Sequence, residues 1–249
     1  MMRVPVLLLS LLLTFAKCGS PVTPESSFDS DIVLINIEDG DRAFIGKLLL
    51  KLDSLQPAVI GINVKFQARK KQDSILIDAL KKIKNDVLVY NVNKDGSVNG
   101  SDSVLSALAG ARGNLYYEVR LGLITTTVPL QKVNDSVHES FAFKIIKYWK
   151  PEFSSQIRVD EKIDIKYTRS LERFLLINGS ELIQTNIHDL ELSNKVFLVG
   201  YAGPGNEDKH FTPLRRIAER KYESNEPDSY GLVIIANEIR TILEHKKED

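Results

Sequence analysis

Near the end of the chain, Asp208, His210 and Thr212 follow a stretch punctuated by Gly200, Gly203, Pro204 and Gly205. Carboxylate, imidazole and hydroxyl groups can hydrogen-bond a ligand, and the first two can hold a metal. Glycines let backbone approach a ligand or a neighbouring strand closely. Two more polar groups follow apolar runs: Glu38 with Asp39 after IVLINI, and Asn63 after AVIGI. Glu38, Asp39, Asn63, Gly200, Asp208, His210 and Thr212 therefore form a candidate ligand-contacting set. Asp39, Asp208 and His210 could act as a metal-assisted hydrolase. However, the four histidines (His138, His188, His210 and His245) have no paired spacing, and diagnostic metal sites need more ligands at set intervals. We expect no metal and no cofactor. The glycine order G-x-x-G-x-G is neither the dinucleotide fingerprint nor a P-loop, and no G-x-S-x-G elbow occurs. Alternatively, the acids only cap helices and the glycines only make turns.

The elements that must position these groups are legible in the periodicity. Residues 32–37 (IVLINI), 58–62 (AVIGI), 87–90 (VLVY) and 196–199 (VFLV) are short apolar runs suited to buried strands. Residues 43–55 carry Phe44, Leu48, Leu49, Leu52 and Leu55 at helical spacing, with Asp41 as N-cap, so the chain opens with a strand–helix–strand unit. A second helix starts at Asp73, and a short one spans 104–109. Residues 113–129 read as a hairpin turning near Gly122, and 137–149 as a helix that includes Val137. Trp149 reads as a core or domain-edge residue. Further short strands are expected at 163–167 and 174–177, a turn or short helix at 187–190, a long charged loop at 215–228, and a closing helix at 231–245. The fold class is α/β: a mostly parallel or mixed sheet flanked by helices, with an antiparallel hairpin addition. If the strands are parallel, the polar clusters share the carboxyl edge of the sheet, where open α/β folds bind ligands.

Composition narrows the function classes. Lysine plus arginine number 33 and aspartate plus glutamate 33, and removing residues 1–18 takes away only Arg3 and Lys17, leaving a slightly acidic remainder. A basic nucleic-acid surface is not expected. Residues 1–18 have a positive start and an apolar run at 4–15, too short to span a bilayer with ease, which takes about 20 residues. They read as a secretory leader. Either it is cut after Cys18, or Cys18 becomes the lipid-modified first residue of a lipoprotein; membrane association is expected only through such an anchor. Residues 19–30 are a Ser- and Pro-containing tether, and 31–247 a single domain. Cys18 is the only cysteine, so the mature domain is held by its core and not by disulfides.

Three blocks resemble the second type of CHASE sensory domain, an extracytoplasmic module associated with cyclases, histidine kinases and serine/threonine kinases. They are DIVLINIED with PAVIGINVKF, then QDSILIDALKKI with NDVLVY, and last KVFLVGYAGPGNEDKHFTPL with YGLVIIANEIRTIL. The last block is the most specific. Asp208, Thr212, Pro213, Gly231, Ala236 and Asn237 stand at the positions of the family's D-x-x-x-TP and G-x-x-x-x-A-N segments. The chain departs at Asn63-Val-Lys-Phe66, where the pattern is D-x-x-F, and at VRLGLI (119–124), where it is D-G-x-x-R. It also lacks a tryptophan- and proline-rich start to the first helix. The resemblance implies an exported, non-catalytic sensory domain; the lack of the family's usual membrane helices and effector is a further departure, so a solitary domain that acts through a partner is expected. Its expected partner is a small ligand or a membrane signalling or envelope protein. A structural adaptor that docks through 215–228 or near Trp149 is the other non-catalytic alternative.

Overall fold

A computed structural model describes residues 28–153, 156–184, 191–214 and 226–245. The expected leader lies outside the described residues, as do the turn at 187–190 and most of the charged loop at 215–228. The elements run β1 (Asp29–Asn36), α1 (Arg42–Asp53), β2 (Val59–Ile62), α2 (Asp73–Lys82), β3 (Asp86–Val92), β4 (Val98–Asn99) and α3 (Ser103–Leu108). Next come β5 (Ala111–Asn114), β6 (Tyr117–Arg120), β7 (Leu123–Thr127), β8 (Leu130–Val133), β9 (Ser136–Glu139), α4 (Phe141–Trp149) and β10 (Ile163–Asp164). A single 3-10 turn (Leu171–Arg173) precedes β11 (Phe174–Asn178), α5 (Gly179–Gln184), β12 (Val196–Gly200), β13 (Lys209–His210), β14 (Ser229–Tyr230) and α6 (Gly231–Glu244).

The main sheet has the order β11-β1-β12-β2-β3, with β4 antiparallel and β5 parallel to β3. β11, β1, β12, β2 and β3 are mutually parallel. The opening strand–helix–strand unit forms, but β1 and β2 do not touch, because β12 from the end of the chain inserts between them.

Both faces of this sheet are covered, which explains why its strands are uniformly apolar rather than alternating. Val33, Ile35, Ile60, Ile62, Phe197 and Val199 bury against α1, α2, α3 and α5. Their neighbours Ile32, Leu34, Val59, Val196 and Leu198 bury on the opposite face against α4 and α6. Gly46 of α1 lets that helix lie directly on α2, since a β-carbon there would come 2.7 Å from the Leu76 backbone nitrogen. Asp41 caps α1 as expected, its Oδ1 accepting the Phe44 N–H at 2.8 Å.

The hairpin β6–β7 turns at Leu121 and Gly122, both with positive φ (51° and 79°), the geometry of a two-residue hairpin turn. Three expectations are corrected. β1 begins at Asp29, so residues 29 and 30 belong to the sheet and not to the tether. Residues 136–139 form β9, paired with β8, and the helix starts only after Ser140, whose Oγ accepts the Phe143 N–H at 3.1 Å. A serine N-cap defines that start better than the apolar spacing did, which had drawn in the half-exposed Val137. Strand β10 stops at Asp164, and the helix α5 carried no expectation.

Candidate functional site

Because β11, β1, β12 and β2 are parallel and in register, their carboxyl ends form one edge. Asn36 pairs with Gly200 on one side and Asn178 on the other. Asn36 ties these ends together: its Oδ1 accepts the Ala202 N–H at 2.9 Å and the Glu38 N–H at 3.1 Å, and its Nδ2 donates to Asn178 Oδ1 at 3.0 Å. This buried amide had no place in the expected set, although an asparagine closing an apolar strand was the available signal. Glu38 takes positive φ (53°) and accepts the Ser180 N–H at 2.9 Å, so it fixes the start of α5. Asp39 is exposed on the same edge.

The groups delivered by β2 and β12 do meet. Asn63 Nδ2 donates to Asp208 Oδ2 at 3.5 Å, and the other carboxylate oxygen, Oδ1, lies 3.4 Å from His210 Nε2. Both Asp208 and His210 keep part of their side chains in solvent. The backbone around them is held by the β13–β14 pairing and by the Gly231 N–H, which donates to the Asp208 carbonyl at 2.9 Å. The Asp208 carboxylate thus rests on the first turn of the 14-residue helix α6, where the helix dipole favours negative charge. Only glycine suits position 231, because a β-carbon there would come 2.6 Å from Asp208 Oδ2. Gly200 is similarly close-packed, 2.8 Å from the Leu232 side chain by the same measure.

Thr212 does not join this edge as a contact group. Its side chain is 1% exposed and committed to Asp228, with Oγ1 donating at 2.8 Å and its N–H at 2.7 Å. Among the described residues no three His, Cys, Asp or Glu side chains gather closely enough to hold a metal ion, so Asp39 does not complete a set with Asp208 and His210.

Two clefts open along this edge on either side of the α1 amino terminus, of about 300 and 350 Å3. The first lies between residues 40–45 and 64–72, and the second between α1 and α5. None of the expected contact residues lines either one, but Gly40 and Val64 follow directly on Asp39 and Asn63.

Two features inside the fold escaped sequence reasoning, the bonding of Asn237 and the burial of Glu238. Asn237 is fully buried. Its Oδ1 accepts the N–H groups of Thr168 and Arg169, and its Nδ2 donates to the Arg169 and Val233 carbonyls at 2.8 and 2.9 Å. Next to it, Glu238 is buried, and among the described residues it has no cationic partner. Its Oε1 accepts from Thr127 Oγ1 at 2.5 Å and from Ser140 Oγ at 3.3 Å. Burial raises the Glu238 pKa to about 7 although the hydroxyls of Thr127, Tyr117 and Ser140 pull it down. The adjacent Tyr117 hydroxyl faces the carboxylate outside good hydrogen-bond geometry, and burial and that charge raise its own pKa well above the ordinary value. An Asn-Glu pair inside LVIIANEI was the visible signal for both. At the edge of the same layer, Trp149 is partly buried as expected and lies between Lys150 and Arg240, 4.6 and 5.4 Å from its ring.

No helix among the described residues is long and apolar enough to cross a membrane. No curated protein and no solved structure is similar enough to the chain to count as a match. The family model for the CHASE2 domain matches residues 25–249. That span includes every element described above, and the chain therefore belongs to the CHASE2 family of extracellular sensory domains.

Proposed function

We propose that this chain is an exported, non-catalytic sensory module that binds a small ligand along the carboxyl edge of its sheet and acts through a partner in the cell envelope. Family membership supports the sensory role. The observation that carries the ligand reading is the meeting of Asn63, Asp208 and His210 at the ends of parallel strands, beside two clefts of ligand size. The leader ending at Cys18 supports export, with lipid attachment as the means of membrane association.

The test is thermal unfolding of the purified protein against small metabolites and divalent ions. A ligand specific for the folded state, at 100 times its dissociation constant, stabilises by roughly 2.7 kcal/mol and raises the midpoint. The expected result is a stabilising metabolite whose effect is lost in Asp208→Ala and weakened in Asn63→Ala. A panel with no stabilising compound, or one whose hits ignore both substitutions, would count against the reading and favour an adaptor that recognises protein alone.

A further inference from the structure

The smaller cleft has a lining of mixed character. Ile45, Val64 and Phe66 give it an apolar wall, and Lys65 and Lys70 supply ammonium groups. Arg42 also borders it, but that guanidinium is committed elsewhere. It donates to the carbonyls of Gln67 and Ala68 at 2.6 and 2.7 Å and pairs with the buried Asp73 at 2.9 Å, which shapes the loop over the cleft. Asp41 caps α1 and leaves one carboxylate in the wall. With Arg42 neutralised by Asp73, two ammoniums face one carboxylate.

Lys65 is the unusual member. It is half-buried, and among the described residues its ammonium has neither a hydrogen bond nor an ion pair. Burial alone lowers its pKa, with no counter-charge to offset the desolvation. A lysine ammonium binds carboxylate and phosphate as a point charge, and here an apolar wall stands beside it. The volume of about 300 Å3 sits at the low end for small-ligand sites.

We infer that this cleft binds a small organic carboxylate, its charged end at Lys65 and its apolar body against Ile45, Val64 and Phe66. The inference rests on the sensory reading of the carboxyl edge and adds the class of ligand.

Isothermal titration at constant ionic strength tests it, with benzoate and hexanoate as probes, their neutral amides as matched controls, and inorganic phosphate as an anion without an apolar body. The expected result is carboxylate binding at least tenfold tighter than the amide, weakened at least tenfold by Lys65→Gln, with no measurable binding of phosphate. Equal binding of carboxylate and amide, phosphate binding as tight as benzoate, unchanged binding in Lys65→Gln, or no carboxylate binding would each overturn the inference. Should Lys65→Gln fail to fold, acylation of Lys65 in the wild-type protein gives a second readout by mass spectrometry. Benzoate should slow that acylation and benzamide should not, and equal rates with both would refute the site. A metabolite whose binding is lost in Asp208→Ala but unaffected in Lys65→Gln would remove this cleft and leave the sensory reading standing. Absence of any ligand in either assay would end both.

Discussion

Replacing Glu238 by glutamine should change how stability depends on pH. The carboxylate is 1% exposed, accepts two hydroxyls and faces no cation among the described residues, so folding strips its charge of water without supplying an opposite one. Its pKa rises from the ordinary 4.5 to about 7. A group whose folded pKa is raised in this way holds its proton in the native state after the unfolded chain has released it. Stability therefore falls as pH climbs from about 4.5 to about 7, and then levels off. At 1.36 kcal/mol per pKa unit, the full loss is about 3 kcal/mol. Glutamine keeps a carbonyl oxygen for Thr127 and Ser140 and has no charge to desolvate. Urea unfolding at pH 5 should give nearly equal stabilities for wild type and Glu238→Gln. At pH 8 the variant should be more stable by up to about 3 kcal/mol, with an unchanged denaturant slope. Asp86 also titrates in this range, since burial outweighs the Gly110 N–H and raises it to about 6. It is present in both proteins, so the difference between the two pH profiles isolates Glu238. Parallel profiles from pH 5 to pH 8 would show that Glu238 is not held neutral by its surroundings, and the reasoning would fail.

Two further outcomes follow from the same layer of the fold. Asn237→Ala removes the partner of two N–H groups and two carbonyls at a fully buried position, and should cost about 3 kcal/mol or more in urea unfolding. Asn237→Asp keeps the acceptor for the two N–H groups but turns an acceptor towards the Arg169 and Val233 carbonyls, so it should recover stability relative to alanine only at acid pH, where a protonated carboxyl can donate; equal stabilities of the two variants in acid would contradict the clamp. Asp29 is buried, which raises its pKa, but Arg240 at 2.5 Å and the N–H groups of Asp31 and Ile32 outweigh this and hold it below the ordinary value. A depressed carboxylate contributes stability that is present above its unfolded pKa, about 4, and is lost as pH falls through the folded pKa. Wild type should lose this contribution below about pH 4. Arg240→Ala should shrink that acid limb, with Arg169 left as the other cation 3.5 Å from Asp29, and should cost about 3 kcal/mol at neutral pH, because a buried charge loses its nearer partner. An acid limb left unchanged by the substitution would assign it to other carboxylates.

The parallel core was legible because its strands are apolar on both faces, a pattern that only a sheet covered by two helix layers requires. Runs such as VFLV need no long-range information to be read. The insertion of β12 between β1 and β2 did, since nothing in IVLINI or AVIGI says which strand lies beside it. Boundaries failed where a local polar group overrides apolar spacing. Ser140 ends a hairpin and starts a helix, and Val137 lies on the wrong side of it. At the edge, Asn63, Asp208 and His210 came together because each follows a strand of the same direction. Thr212 did not join them, since its partner is the side chain of Asp228, sixteen residues further along the chain. The smaller cleft was not legible at all: its walls come from the start of α1 and the loop after β2, and a lone lysine has no sequence signature until its surroundings show that no described residue pairs with it.

The positions that carry the family resemblance are largely those that hold the scaffold. Gly231 makes room for Asp208, Asn237 clamps the segment before β11, and Thr212 closes a turn. The segment after β2 is different, for there Asn63-Val-Lys-Phe66 stands in place of the D-x-x-F pattern. An aspartate at 63 would set a second carboxylate about where the amide now lies, 3.5 Å from Asp208 Oδ2. Two carboxylates that close cannot both stay ionised without a cation between them or a proton on one. Asparagine removes that requirement, because its Nδ2 donates to Asp208 and the carboxylate is satisfied within the chain. Two residues on, Lys65 places an ammonium in the adjoining cleft. Both features of this one segment act in the same direction: they lessen the demand for a bound cation at the edge and add a demand for an anion beside it. On the proposed sensory reading, the ligand should therefore carry negative charge.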